Sequence, residues 1–223
     1  GTLAATALTG DGSGLTGITT AGGSPTAWTQ DAEANLVAGT DAGANLNGYG
    51  CFNVFLGSCA AKELTNGSTN IAVGKCSMGG GVVTGDSNIF LGEKTGKGTT
   101  SGNCNIAIGK DAMSGLTITS YGNVAIGNRA GQNNTSGNEN ILIGWCAAAG
   151  GILTGSNNIV LGEDGGKDLT SGGQNVFIGQ LSGAETTTGS KNIFLGQEAG
   201  CNVRTNSHNV FVGCGAGKCR CAG

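Results

Sequence analysis

Nine cysteines and a single histidine hold most of the reactive chemistry in this 223-residue chain. Cys59 and Cys76 lie one repeat interval apart, while Cys201, Cys214, Cys219 and Cys221 crowd the C-terminal end. Three chemistries compete for them. Stacked or clustered thiols can form disulfides, which would place the chain in an oxidising compartment. A zinc site is the second reading, but Cys219-Arg220-Cys221 has one intervening residue where two are usual, and only His208 stands nearby. The third is that cysteine serves as a small buried apolar residue. In a trimer Cys146 could not pair with its own symmetry mates in all three chains, so it is expected to be free. The odd count leaves connectivity open.

Other segments imitate functional motifs and fail on spacing. "VGCGAGKCR" (212–220) resembles a phosphate-binding loop. It has three residues between Gly213 and Gly217 instead of four, with Cys219 where a magnesium-holding Ser or Thr belongs. "GDGSG" (10–14) precedes no helical pattern, so it is not a dinucleotide fingerprint. Asp11 could offer calcium an oxygen, but the nonapeptide calcium repeat is absent. Asn66-Gly67-Ser68 and Asn133-Asn134-Thr135 match glycosylation acceptors. His208 has no carboxylate–nucleophile pair beside it and reads as a solvated turn residue. No acids pair at one repeat position in adjacent turns, as a glycan-cleaving cleft would need. The expectation is a protein that is not an enzyme, with no catalytic, cofactor-binding or metal residues and no cofactor.

Composition narrows the class. Glycine supplies 46 residues, roughly three times the usual ~7% share. Collagen is excluded, because there is one proline and no Gly-X-Y period. With 38% hydrophobic residues and a net charge of −3, the chain is not self-repelling, which argues against disorder. The acidic balance gives no footprint for nucleic acid. No apolar run approaches the ~18 residues of a membrane span, so no membrane insertion is expected.

What positions these residues is a repeat. The phrase Asn88-Ile89-Phe90-Leu91-Gly92 returns as Asn105-Ile106-Ala107-Ile108-Gly109, and eleven copies run from Asn35 to Gly213 at intervals of 17 or 18 residues. The two intervals alternate from Gly39 to Gly179, which marks a duplicated 35-residue pair. Alternation with period two and β-branched enrichment make each phrase a short strand. The closing glycine suits a corner with positive φ or close backbone approach. Three residues later a small side chain (Ala60, Ser77, Thr95, Ala112) suits an inside bend. Glycine interrupts every helical window. A strand this short needs stacked neighbours, so the fold class is all-β, a parallel β-solenoid of about eleven 17–18-residue turns. The expected organisation is an N-terminal linker or cap over 1–34, the solenoid over 35–217, and a Cys-rich tail over 218–223. The asparagine that opens every copy should form a hydrogen-bonded ladder along the stack.

The faces of the strand can also be read. The flanking pairs Val54/Leu56, Ile89/Leu91, Ile141/Ile143 and Val210/Val212 are expected to fill the solenoid core. The middle residues Phe55, Phe90, Phe177, Phe194 and Phe211 are then expected to point outward, toward a shared axis between identical chains. Three chains about that axis is the expected arrangement, a homotrimer, and a symmetric dimer satisfies the same burial.

Copies such as "NVAIGNRAGQNNTSG" (123–137) and "NIFLGQEAG" (192–200) resemble the head repeats of YadA-like trimeric autotransporter adhesins. They are still more similar to the longer repeats of phage tail fibres, and "LTGDGSGLTGI" (8–18) resembles a short element of virion fibres. The resemblance spans about 35–217. It implies a laterally associated homotrimer of β-rolls or β-helices, left-handed as in the adhesin heads. By the same resemblance the chain is a structural and adhesive fibre segment of a virion tail or appendage. It would hold or present an element that meets a host-surface glycan or protein receptor. A bacterial surface adhesin head, at the cell exterior, is the alternative. The 17/18 period and the nine cysteines depart from both families. An ice-binding solenoid would need a regular threonine array, and Thr84, Thr100, Thr135, Thr154 and Thr170 drift along the sequence.

Overall fold

The structure is a computed structural model that describes residues 29–81, 83–115 and 117–218. Each copy of the phrase forms one three-residue strand. After β1 (Thr29–Gln30) come β2 (Leu36–Ala38), β3 (Val54–Leu56), β4 (Ile71–Val73), β5 (Ile89–Leu91), β6 (Ile106–Ile108) and β7 (Val124–Ile126). They are followed by β8 (Ile141–Ile143), β9 (Ile159–Leu161), β10 (Val176–Ile178), β11 (Ile193–Leu195) and β12 (Val210–Val212). β2 to β12 pair in parallel and in sequence order, forming a single sheet down one side of a β-solenoid. Register never slips: Phe90 lies beside Ala107, and Phe177 beside Phe194. A second line of contact runs through the parallel bridges Leu64↔Val83, Thr99↔Ile118 and Asn134↔Leu153. Among the described residues there is no helix.

The asparagine ladder forms as expected. Asn88 donates its backbone N–H (2.9 Å) and its side-chain Nδ2 (3.1 Å) to Asn70 Oδ1, and Nδ2 also reaches Gly102 O at 2.8 Å. Asn88 Oδ1 in turn accepts from Asn105 N at 3.0 Å. Each amide thus joins three turns, and the ladder members from Asn35 to Asn192 are buried. Asp31 closes the N-terminal end, its carboxylate accepting from Asn35 N (2.8 Å) and Asn35 Nδ2 (3.0 Å). There β1 pairs antiparallel with β2, so residues 29–34 do not continue the parallel stack. Residues 1–28 of the expected cap, and 219–223 of the expected tail, lie outside the described residues.

An outer ladder of opposite sense, not foreseen from the sequence, runs two residues before many of the asparagines. There a backbone N–H donates to a side chain of the following turn: Ser68 N to Asp86 Oδ1 (2.7 Å), Asp86 N to Asn103 Oδ1 (2.7 Å), and Ser190 N to Ser207 Oγ (2.9 Å).

The corners carry left-handed backbone. The closing glycine is indispensable: Gly162 has φ +150°, and a Cβ there would stand 2.3 Å from Gly179 O in the next turn. Ordinary residues also adopt positive φ at two further points in most turns, as in Ser87 (φ 58°), Lys94 (φ 57°) and Lys191 (φ 58°), and at a third in some, as in Met78 (φ 53°) and Met113 (φ 46°). An isolated L-residue avoids this conformation. Here the turns above and below impose it: Lys94 N is bonded to Lys75 O at 2.9 Å.

The expected assignment of the two strand faces is reversed. Phe55, Phe90, Phe177 and Phe194 have no exposure and fill the solenoid's own core, and Phe211 packs partly buried at its end. The flanking aliphatics point outward. The physical reason lies in the asparagine, which shares a face with the residue two places on. Its amide must turn inward to reach carbonyls of the next turn, and the middle residue follows. The rings then stack on one another, Phe177 to Phe194 at 5.0 Å and Phe194 to Phe211 at 5.1 Å between centroids. The small residues after the closing glycine sit inside the bend, with Ala60, Ser77, Thr95 and Ala112 fully buried.

Candidate functional site

Because the middle residues face inward, each strand from β2 to β12 offers its first and third side chains to the outside. Stacked without slip, they make two parallel columns of Val, Ile and Leu on the outer surface, closing at one end with Ala38. Ile141, Ile143, Ile178 and Ile193 are 36–40% exposed, and Val210 and Val212 at the end of the stack reach 65% and 67%. At ~4.8 Å per turn the strip is roughly 50 Å long, and two columns of side chains make it about 10 Å wide. That is on the order of 500 Å² of continuous apolar surface, near the top of the range for the largest patch on a monomer.

A polar rim follows one edge of the strip, one residue beyond the closing glycine. Lys110 pairs with Glu93 at 3.5 Å. Gln180 Nε2 donates to Glu163 Oε2 at 3.1 Å, and Gln197 Nε2 to Gln180 Oε1 at 3.2 Å. Trp145, half exposed, belongs to the same rim, and Phe52 (67% exposed) flanks the opposite edge. An apolar centre with a polar margin and aromatic outliers has the anatomy of a protein–protein contact.

The residues singled out for chemistry fall elsewhere and do not converge. Cys59 and Cys76 occupy equivalent left-handed corners of successive turns (φ 57° and 55°), as the repeat register requires, and both are free thiols. Burial pushes the Cys146 and Cys201 thiols up from their ordinary values, with Asp164 adding to the effect at Cys146. Both are therefore neutral near pH 7 and poor nucleophiles. Cys219 and Cys221 lie outside the described residues, as does the GDGSG segment. Gly213 is the closing glycine of the last turn (φ 121°), so the described part of the phosphate-loop look-alike, 212–218, forms a solenoid corner. His208 is exposed in a corner with φ 64°. Asn66 is exposed, while Asn133 Nδ2 is engaged by Ala149 O at 2.9 Å. Among the described residues no group of three or more His, Cys, Asp or Glu gathers to hold a metal ion.

The threonines require a correction. Thr84, Thr100, Thr135, Thr154 and Thr170 do not drift but stack in one column: Thr84 N donates to Thr100 O at 2.7 Å, and Thr154 N to Thr170 O at 2.8 Å. Loops of alternating length absorb the uneven spacing. The hydroxyls are partly committed along the stack, as Thr100 Oγ1 donates to Ile118 O (3.3 Å) and Thr170 Oγ1 to Thr187 O (3.0 Å). The position two residues before this column carries Glu63, Asp168 and Glu185, so it supplies no second threonine file.

The fold and this face define a β-solenoid repeat protein with an uncovered aliphatic side. Comparison with family models, with curated proteins and with solved structures finds no match to the chain.

Proposed function

We propose that this chain is a structural and adhesive fibre segment that assembles laterally with identical chains, three about a common axis, through the outward aliphatic strip. The observation that carries the reading is the double column itself. Two facing strips bury on the order of 1,000 Å², the threshold for a specific interface. The strip runs the full length of β2 to β12, so partners that lie alongside cover it and partners that meet end to end do not. Copies of the same chain offer a matching length and repeat. The resemblance of phrases such as "NVAIGNRAG" to fibre repeats supports the same role: a virion tail or appendage that holds or presents a host-surface binding element, with a bacterial adhesin head as the alternative. A rigid rod stapled by asparagine ladders suits that task.

Light scattering coupled to size-exclusion chromatography tests the assembly. The wild-type chain should elute at three times its 21.7 kDa mass, and the variant with Ile141→Asp and Ile143→Asp should fall to single chains with an unchanged far-ultraviolet spectrum. A wild-type protein at single-chain mass would sink the reading, and twice that mass would replace three chains with two. Antibody-labelled electron microscopy of the source particle or cell separates virion from bacterial surface.

A further inference from the structure

Among the described residues, Cys59 and Cys76 are the only cysteines that share one column of the solenoid in successive turns. Their corners have the same shape, with φ 57° at Cys59 and 55° at Cys76. Cys59 N donates to Thr40 O at 2.8 Å and Cys76 N to Ser58 O at 2.9 Å, the same bond one turn apart. The two corners also adjoin directly. A Cβ added at Gly79 would stand 2.8 Å from Cys59 O and 3.2 Å from Cys76 Cα. Equal backbone geometry in adjacent turns leaves the two Cα–Cβ bonds parallel and ~4.8 Å apart.

That spacing does not suit a disulfide, which needs Cβ atoms about 3.8 Å apart and turned toward each other. It does suit two sulfurs with one ion between them. A thiolate–metal bond is about 2.3 Å long, so two in line span ~4.6 Å. Soft monovalent cations with a filled d shell, copper(I) and silver(I), accept linear coordination by two ligands, and thiolate is the ligand type they select. Zinc requires four ligands, and among the described residues no group of three or more His, Cys, Asp or Glu gathers. Both thiols are half-buried, so an ion can reach them from outside. The bound pair of thiolates would carry one net negative charge, and Lys62 stands beside it. Asp41 pairs with the Lys62 ammonium at 3.2 Å and, with a smaller effect from Cys59, holds its pKa above the ordinary lysine value. Cys146 has no such arrangement, because Arg129 and Asp164 occupy its column in the turns before and after.

We propose that Cys59 and Cys76 form a two-coordinate site for a soft monovalent cation, copper(I) or silver(I). Each thiol releases its proton to water as the ion binds, so one ion displaces two protons and nothing is oxidised or reduced. The ion cross-links two successive turns on the outside of the solenoid. Both ligands belong to one chain, so the site stands whether or not chains associate through the aliphatic strip.

Silver(I), which is stable in air, is the probe, added to the fully reduced wild-type protein with a monothiol competitor that strips single-cysteine sites. Alkylation by iodoacetamide, mapped peptide by peptide, should slow at Cys59 and Cys76 together and stay unchanged at the exposed Cys104. Native mass spectrometry should count one retained silver ion fewer in Cys59→Ser and in Cys76→Ser than in the wild type, and the same number in Cys146→Ser. Unchanged alkylation of Cys59 and Cys76 in the silver-loaded wild-type protein would overturn the proposal, whether or not the variants fold. So would an undiminished silver count in either folded variant. A Cys59–Cys76 disulfide formed when the protein stands in air would contradict the spacing on which the site rests.

Discussion

Asn88 and Phe90 point to the same side of β5, and neither has any exposed surface. That relationship sets the orientation of every turn. The amide is drawn inward by Asn70 Oδ1 and Gly102 O, and the ring two residues on is carried into the core with it. Ile89 and Leu91 are left on the outer side, where the stack of turns assembles them into a strip.

The first prediction concerns the aromatic stack. Phe194 lies between Phe177 and Phe211. Phe194→Ala should lower stability by about 3–5 kcal/mol, the range for emptying a buried aromatic site, as read by urea denaturation. The loss should appear as unfolding of the turns, not as clean dissociation into folded single chains. Intact folded monomers from this variant would show that the ring serves an interface after all.

The asparagine ladder should be intolerant of an isosteric apolar residue. Asn140 Oδ1 accepts from both Asn158 N and Asn158 Nδ2 at 2.9 Å. Asn140→Leu strands Asn158 N in the interior and leaves Asn158 Nδ2 with Gly172 O alone (3.0 Å), and each buried N–H left unpaired costs about 1–3 kcal/mol. The melting temperature should drop sharply, and amide exchange should accelerate most around residues 140–158. Exposed Asn66→Leu should change little by comparison.

Opposite effects are expected at two corners of the same handedness. Gly162→Ala should destabilise by well over 1 kcal/mol, since the backbone has φ +150° and the new Cβ would collide with Gly179. Lys191, exposed with φ 58°, has no such neighbour to lose. Lys191→Gly relieves the left-handed penalty and should raise stability by up to about 1 kcal/mol. Thermal melts of the two variants beside the wild type decide both.

The amino-acid sequence by itself determined the period, the register and the parallel stacking. An asparagine and a glycine recur in every copy, and each can act only when it stands above its own counterpart: Asn105 on Asn88, and Gly109 against Gly92 with no room for a Cβ. Which face of the strand lies inside was decided by the tertiary structure. Residues such as Ile89, Phe90 and Leu91 are all apolar, so alternation with period two reads the same with either side inward. The inward partner of the asparagine amide breaks that symmetry, and it exists only once a neighbouring turn is in place. The same holds for the threonine column and for the positive φ of Lys94 and Lys191. Loops of unequal length bring Thr84 beside Thr100, and hydrogen bonds between turns hold ordinary residues in a conformation that their own chemistry disfavours.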